Sequence, residues 1–575
     1  MGDNNKKEYW GSHWGFLLAT AGSAIGLGNI WKFPYITGMN GGAAFVLVYL
    51  ICVLTVGLPI MICELTLGRA TGRGPVGAFA ALTPRKSMLL NTIGFLTVIA
   101  GCTVAMFGQY GFAAVIALCG VGILAFGWKI IGLVCGVLVP FVILSYYGVI
   151  GGWTVIYIWK AITGSLGFTT QAGAESVMNP ILIAPKSAWC MIFGGHFLFM
   201  IIVGVILFFG VKKGIERSSK ILMPFLFILL AVLLLRSLTL PGAQKGLAFF
   251  LSPDFSKLTA EGVLIAVGHA FFTLSLAMGI TMTYGSYLKK TENIVKTSLT
   301  VICLDTMAAV MAGLAIFPAV FAMGFEPARG PSLTFEILPA AFNLIPGGGG
   351  AVWNALFFIM LFVAALTSAI SLAEVIVNFC MEQLKMSRKI AVIVSVIANT
   401  LLGMVSAISI ANWDNFPRLY KFLCKYFPNV PGSAFDLFDS TCSDWFLPIG
   451  GLIITLYVGW IWGPRHALKE IRRGASYHID TNLFLLAAGL RGDPGYISPR
   501  PIFTPASLWG VFVRFITPVL LFLAFLYSVE IISFKMPEVT PQPQAAVQQV
   551  EQKAAEQLPQ EQTPAAQAPA AEKAK

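Results

Sequence analysis

Long apolar segments, separated by short segments that carry charge, Pro or Gly, run along most of the chain. A helix needs about 20 apolar residues to cross a bilayer, so this pattern predicts membrane-spanning helices. The stretch 87–128 contains no Asp, Glu, Lys, Arg or His, and as one helix it would be about 63 Å long at 1.5 Å per residue. Because that is about twice the hydrocarbon thickness of a bilayer, we predict that residues 88–127 form a hairpin of two spans.

The pattern as a whole predicts thirteen spans. They lie near residues 13–37, 43–67, 88–107, 111–127, 130–159, 188–210, 217–236, 262–287, 297–323, 351–380, 390–410, 443–463 and 507–532. Residues 537–575 are rich in Pro, Gln, Ala and Glu, a composition typical of a disordered tail. We therefore expect a membrane domain over residues 1–536, followed by that tail.

Composition excludes a water-soluble multidomain protein. The 575 residues are 57% hydrophobic and 11% charged, with a mean hydropathy of +0.80, whereas soluble domains carry about 25% charged residues. The net charge is +12, and most Lys and Arg residues lie in alternate short loops between the spans. By the positive-inside rule these loops are cytoplasmic, which places the N-terminus in the cytoplasm. The positive charge therefore does not indicate affinity for nucleic acid. The chain is predicted to be an all-α integral membrane protein in contact with the lipid bilayer, and nothing in its sequence defines an oligomeric state.

Two predicted spans contain interruptions made of small residues. The first is Gly-rich, at residues 21–29, and the second is rich in hydroxyl groups, at residues 273–279. Glycines weaken a helix, and freed backbone groups are tolerated in a membrane only beside a cavity, an ion or another part of the protein. Close helix packing is the alternative for the glycines alone. Without the hairpin, however, the second interruption falls in the sixth span, and paired broken helices point to a transporter built from inverted repeats.

Charged side chains within spans are candidates for function. Asp305 lies in an otherwise uncharged segment, and we interpret it as part of a cation site. Glu64 and Glu374 are either functional or buried carboxyl groups with local partners. Cys424 and Cys442 lie in or beside a polar stretch where a disulfide is one alternative. The histidines lack metal-ligand spacing and no catalytic set is recognisable, so we expect neither an enzyme nor an organic cofactor.

Four motifs carry a resemblance to a known family. Residues 22–35 (GSAIGLGNIWKFPY), 213–217 (KGIER), 271–276 (FFTLSL) and 365–370 (ALTSAI) resemble the neurotransmitter:sodium symporter family, in its bacterial amino-acid branch. The resemblance covers residues 7–532 except the hairpin. It implies two inverted five-helix repeats with broken first and sixth family helices, plus a peripheral helix. It also implies sodium-coupled import of a small apolar or aromatic amino acid by alternating access across the bacterial inner (plasma) membrane.

The resemblance also implies the sites for substrate and two sodium ions. The first sodium would be held by Ala24, Asn29, Thr273 and Asp305 with the substrate carboxylate, and the second by Gly22, Ile25, Ala364, Thr367 and Ser368. The substrate would contact Leu27, Gly28 and Tyr147 through its carboxylate, Ala24 and Thr273 beside the first sodium, and Ile143, Phe272, Ser275, Met278, Ser368 and Leu372 through its side chain.

Similar matching implies two gates. The outer gate would be a lid of Phe272 and Tyr147, with Lys32 opposite Asp444, although Asp439 competes for that role. The inner gate would pair Lys7 with Glu382 near Tyr287.

Besides the extra hairpin, two departures from the family pattern matter, and a third position bears on chloride. Lys32 replaces the usual arginine and lacks its two-pronged donor geometry. Ala277 stands where the family often has glycine. Ala309 stands where chloride-dependent members have a serine ligand, and the Asp305 carboxylate would supply the negative charge, so chloride is expected not to be required. A channel, or a sensor that binds substrate without transporting it, are the rival functions.

Overall fold

We analysed a computed structural model of the chain. It describes residues 8–82, 127–182, 186–325, 332–345, 348–409, 418, 421, 424, 432–474 and 505–528. Throughout these residues the regular structure is helical, without strands. Three predicted features lie outside the described residues: the hairpin 88–127 except its last residue, the tail 537–575, and the inner-gate residue Lys7.

Eleven helices, two of them broken, make up the membrane part of the described chain. They are α1 (His13–Ala24, then Gly28–Lys32 and Phe33–Met39), α2 (Ala43–Thr71), α3 (Trp128–Ile162), α4 (Trp189–Phe208), α5 (Val211–Leu238), α6 (Ala260–Thr273, then Ile280–Ser286), α7 (Ile294–Ala322), α8 (Gly350–Glu382), α9 (Arg388–Ile408), α10 (Ala434–Trp462) and α11 (Leu508–Ser528). The nine unbroken helices are long and apolar enough to cross a membrane. Every predicted span outside the hairpin therefore coincides with a helix.

Short helices connect the long ones. They are Pro75–Leu82, Gln171–Leu182, Lys186–Ala188, Ala243–Leu251, Phe255–Lys257, Leu333–Ile337 continued by Leu338–Asn343, and Pro464–Arg472. Inside α2, α3, α10 and α11, a wide π-helical turn lies directly before the dipeptide that contains a proline, as at Val53–Gly57 before Leu58-Pro59. Proline lacks an N–H and its ring clashes with a carbonyl one turn earlier. A wide turn at that place accommodates the ring without ending the helix.

The first break interrupts α1 in the middle of the bundle. The N-cap of α1 is Ser12, whose hydroxyl accepts a hydrogen bond from the Gly15 N–H at 3.0 Å. Regular α-helix ends at Ala24, because Ile25 has an extended backbone with ψ of 94°, and winding resumes at Gly28. The predicted interruption is thus confirmed, and it spans Ile25 to Leu27.

The second break interrupts α6 over residues 274–279. Ser275, Ala277 and Gly279 all have positive φ angles, of 53°, 59° and 68°. A left-handed backbone disfavours residues with a side chain, so two of these positions are strained. Ala277 therefore adopts the conformation for which glycine is better suited. Contacts with the surrounding structure therefore impose a strained backbone conformation on this alanine.

The broken helices are the centre of the bundle. α1 packs against α5, α7 and α8, while the two halves of α6 pack against opposite ends of α2. α3 packs on the other side of α8 and also contacts α4 and α9. This arrangement places the two breaks next to each other, with α7 and α8 beside them.

Candidate substrate and sodium sites

Polar side chains from four helices meet at the two breaks. Asn29 donates to the Asp305 carboxylate at 2.8 Å and to the Asp305 carbonyl at 3.2 Å. Thr273, the last residue of the first half of α6, donates to the same carboxylate at 3.3 Å, and the Tyr49 hydroxyl does so at 3.4 Å. The residues of the first predicted sodium site thus come together, and Tyr49 is an addition that the sequence did not indicate. Ala24 is buried at the end of the adjacent half-helix.

Asp305 is buried, and no Lys or Arg of the described chain lies within ion-pair distance of its carboxylate. A buried carboxylate is costly without a compensating positive charge. Carboxylate, amide and hydroxyl oxygens are hard donors of the kind that a small hard cation prefers. The cluster is therefore chemically suited to a sodium ion.

The residues of the second predicted sodium site lie where α1 faces α8. A Cβ added at Gly22 would lie 2.9 Å from the Met223 sulfur of α5 and 3.3 Å from the Thr367 Cβ, so the glycine permits close approach of α1 to both α5 and α8. Thr367 donates to the Val363 and Ala364 carbonyls, both at 3.1 Å. Ile25 is buried in the break beside them.

Ser368 links this region to the substrate region. Its hydroxyl donates to the Ser23 carbonyl at 3.0 Å, and the Ser275 hydroxyl from α6 donates to the same carbonyl at 2.8 Å. One carbonyl at the first break thus joins α1, α6 and α8. Side chains of the predicted second sodium site and of the predicted substrate pocket therefore share one acceptor.

Backbone amides at the first break face a tyrosine. The Leu27 N–H donates to the Tyr147 hydroxyl oxygen at 3.1 Å, and the Gly26 N–H donates to Asn29 at 3.1 Å. A Cβ at Gly26 would lie 2.4 Å from the Ser368 hydroxyl and 2.8 Å from the Tyr147 hydroxyl, so only glycine fits. Amides at the start of a half-helix attract anions, which suits an amino-acid carboxylate.

The predicted side-chain pocket is apolar. Ile143, Met278 and Leu372 are buried, and Phe272 is half-buried with its ring 3.5 Å from a Cβ built on Gly28. Glu64 contacts the second break beside the pocket. Its carboxylate accepts hydrogen bonds from the Ala277 N–H at 2.6 Å and from the Thr281 hydroxyl. For Glu64 the structure therefore favours a buried carboxyl with local partners.

The outer-gate residues are arranged differently from the simple pair expected. The Lys32 ammonium lies 4.5 Å from the centre of the Phe272 ring, a cation–π contact. Asp439 and Asp444 both attract Lys32 electrostatically, but within the described residues neither forms an ion pair with it. A single ammonium has no fixed donor geometry, so it can contact the ring while both carboxylates attract it.

Tyr287 of the predicted inner gate lies in a hydrogen-bonded cluster. Tyr287 donates to Glu374 at 2.8 Å and accepts from Asn378 at 2.9 Å. Arg388 forms a two-pronged ion pair with Glu374 at 3.0 and 2.6 Å, a strong geometry. We name Tyr287, Glu374, Asn378 and Arg388 the inner cluster. Arg388 was missed because the sequence shows it only as one of many loop cations.

Glu382, the predicted partner of Lys7, contacts the backbone before a short helix. Its carboxylate accepts the Gly74 N–H at 2.8 Å, directly before the helix Pro75–Leu82. Negative charge near a helix N-terminus is stabilising. The N-terminal segment contacts the bundle through Trp10, which donates to the Tyr284 carbonyl at 3.1 Å, and through the Gly11 N–H, which donates to Glu216 at 2.6 Å. Neither contact could be foreseen, since each joins residues far apart in sequence.

The cysteines of the polar stretch are free. Cys424 is exposed and Cys442 is buried, without a disulfide between them.

Comparison with known proteins agrees with this site. The model of the sodium:neurotransmitter symporter family matches residues 7–121 and 192–420. The first range includes most of the predicted hairpin, which the sequence pattern had set apart from the family. The chain is 34% identical to an uncharacterized sodium-dependent transporter, YhdH of Bacillus subtilis, over 92% of this chain and 99% of that protein. It is 27% identical to the human sodium- and chloride-dependent taurine transporter over 63% of this chain and 58% of that protein.

A solved structure is similar as well. The crystal structure of MhsT in complex with L-phenylalanine matches with a TM-score of 0.70 and 38% identity, over 91% of this chain and 100% of that one. These matches agree with the broken helices and the cluster around Asp305, and they identify a family of transporters rather than enzymes. The chain belongs to the sodium:neurotransmitter symporter family and is a sodium-dependent symporter that crosses the membrane several times.

Proposed function

We propose that this protein imports an apolar or aromatic amino acid by sodium-coupled alternating access, with two sodium ions bound at the breaks. The observation that carries the proposal is the meeting of Asn29, Thr273 and Asp305 beside the Leu27 amide and the Tyr147 hydroxyl. Cation ligands and anion donors adjoin there. An amino-acid carboxylate held by the amide and hydroxyl would complete the shell of the first sodium, which couples the two binding events.

The second ion would bind between Gly22, Ile25, Ala364, Thr367 and Ser368. Support comes from the close approach of Gly22 to Thr367 and from the carbonyl and hydroxyl oxygens gathered there. A cation in this position would hold α1 against α8. Its departure would release that contact, which is what opening of one end requires.

The substrate side chain would lie among Ile143, Phe272, Met278 and Leu372, with Ser275 and Ser368 at the polar end. This lining suits an apolar or aromatic side chain, and the bound ligand of the MhsT crystal structure is L-phenylalanine. Met278 is flexible and can adapt to side chains of different shape.

Chloride would not be required. The Asp305 carboxylate would supply the negative charge beside the first sodium, and Ala309, one helical turn later on α7, is buried and offers no donor for an anion. The protein would sit in the bacterial inner membrane with its N-terminus in the cytoplasm, as the distribution of loop cations favours. The inner cluster would then form the cytoplasmic gate, and Lys32 with Phe272 the outer one.

Binding of the twenty amino acids to the purified full-length protein tests the proposal. We expect saturable binding of one or more apolar or aromatic amino acids in sodium buffer, and at least about tenfold weaker binding when potassium replaces sodium. Sodium-independent binding, or a preference for a charged amino acid, would contradict it.

A further inference from the structure

A buried ion pair lies outside the substrate and sodium sites, at the end of the bundle that holds the inner cluster. Arg69, in the last turn of α2, is 2% exposed, and Glu470, in the helix Pro464–Arg472 that follows α10, is 6% exposed. Arg69 donates through Nε to the Glu470 carboxylate at 3.0 Å and through a second nitrogen to the Glu470 carbonyl. Two helices distant in sequence are thereby joined by charge and by hydrogen bonds.

The same pair gathers the segment that follows α6. Arg69 donates to the Glu292 carbonyl at 2.5 Å, while the Lys290 ammonium donates to the Arg69 carbonyl at 2.7 Å and to the Glu470 carboxylate at 3.0 Å. The Glu292 carboxylate in turn bonds to Nδ1 of His13, in the first turn of α1, at 2.7 Å. The cluster therefore ties α1, α2 and α6 to one short helix.

The second carboxylate oxygen of Glu470 is also paired. Arg473 donates to its second carboxylate oxygen at 3.1 Å, and a Cβ built on Gly474 would lie 2.5 Å from the Glu292 carbonyl oxygen. The short helix thus fits tightly against the segment after α6. Its parent element, α10, carries Asp439 and Asp444 near Lys32 at the opposite end of the bundle.

This connectivity has a consequence for alternating access. The helices that carry the two breaks, together with α2, are joined to the α10 side of the bundle at the inner end by charge pairs. Contacts that exist only while the inner end is closed shift the equilibrium between closed and open forms by their free energy. Loss of such contacts favours opening at that end and closure at the other.

We propose that Glu470 is a latch: it binds Arg69 and Lys290 and so holds the inner end of the transporter closed. The latch rests on the proposed alternating access. It differs from a contact that only stabilises the fold, because loosening the fold would expose both ends of the molecule, whereas releasing a latch exposes one end and protects the other.

Cysteine reactivity at the two ends distinguishes these possibilities. Asn378→Cys reports on the inner cluster, and Ser443→Cys reports on the opposite end, where Ser443 donates to Asp439 at 3.0 Å. Each reporter is placed in the full-length chain in detergent, with and without Glu470→Gln. The rate of alkylation is corrected for the native cysteines with the protein that lacks the reporter. Lys469→Gln, an exposed charge on the same helix, is the matched control.

We expect Glu470→Gln to raise the alkylation rate at the inner reporter about tenfold and to lower it at the opposite reporter. Lys290→Gln, which removes one partner of the latch, should act in the same directions with a smaller effect. Lys469→Gln should leave both rates within about twofold. Unchanged rates in Glu470→Gln, or faster alkylation at both ends, would overturn the latch. These rates need no substrate, so failure of the parent protein to bind amino acids would refute the proposed function alone.

Discussion

Replacing Asp305 by Asn would remove the one charged side chain among the proposed ligands of the first sodium while keeping an oxygen ligand and nearly the same shape. The carboxylate accepts hydrogen bonds from Asn29 at 2.8 Å and from Thr273 at 3.3 Å. Both partners can also bond to a carboxamide oxygen. The substitution therefore isolates the contribution of charge to sodium binding.

The size of that contribution follows from distance and burial. Two unit charges 4 Å apart attract by about 4 kcal/mol at an effective dielectric constant of 20. Part of this is offset, because a neutral amide is less costly to bury than a carboxylate. We expect a net loss of about 1.5 to 3 kcal/mol, which corresponds to roughly a 10- to 100-fold weaker sodium affinity.

Sodium titration of amino-acid binding, with chloride replaced by gluconate, measures this change. Asp254→Asn, which removes an exposed carboxylate, is the control and should leave the sodium midpoint unchanged. The parent protein should bind equally well in chloride and in gluconate. Asp305→Asn combined with Ala309→Ser should become chloride-dependent. A sodium midpoint within about twofold of the parent in Asp305→Asn would refute the assigned role.

Three further predictions concern the breaks. Thr367→Ala with Ser368→Ala should lower sodium affinity at least about tenfold, because two hydroxyl ligands of the second site are lost. An unchanged sodium titration would refute the assignment of that site. Gly26→Ala should abolish amino-acid binding through the clash with the serine and tyrosine hydroxyls, while Gly194→Ala, where a Cβ meets nothing within 4 Å, should bind normally. Ala277→Gly should stabilise the protein by about 1 kcal/mol by relieving a positive φ, seen as a higher melting temperature; a lower one would contradict the strain.

The first break could be predicted because its signal is local. Glycines at positions 22, 26 and 28 weaken helix directly, and the helix does end at Ala24. The extent of the second break could not be predicted in the same way. Ser275 and Ala277 adopt left-handed backbones that their side chains disfavour, so tertiary contacts, including the Glu64 carboxylate on the Ala277 N–H, impose the conformation.

The gates were less predictable, because a charged side chain has several partners within reach once the chain folds. Glu374 was recognised as an unusual charge, yet its partner Arg388 could be identified only when α8 and α9 were seen side by side. The hydrogen bond from the Gly74 amide to Glu382 could likewise be identified only in the folded chain, because the two residues are far apart in sequence. Lys32 rests on Phe272, which no pattern of charges along the chain would indicate.

Concentrative uptake tests the central claim most directly. The full-length protein is reconstituted into proteoliposomes, and a radiolabelled amino acid that binds in sodium buffer is added outside with an inward sodium gradient. Sodium-coupled symport predicts saturable accumulation above the external concentration, which collapses when sodium is equal on both sides or is replaced by potassium. Binding without accumulation would indicate a sensor, and flux that neither saturates nor exceeds the external concentration would indicate a channel. Either result would contradict the account.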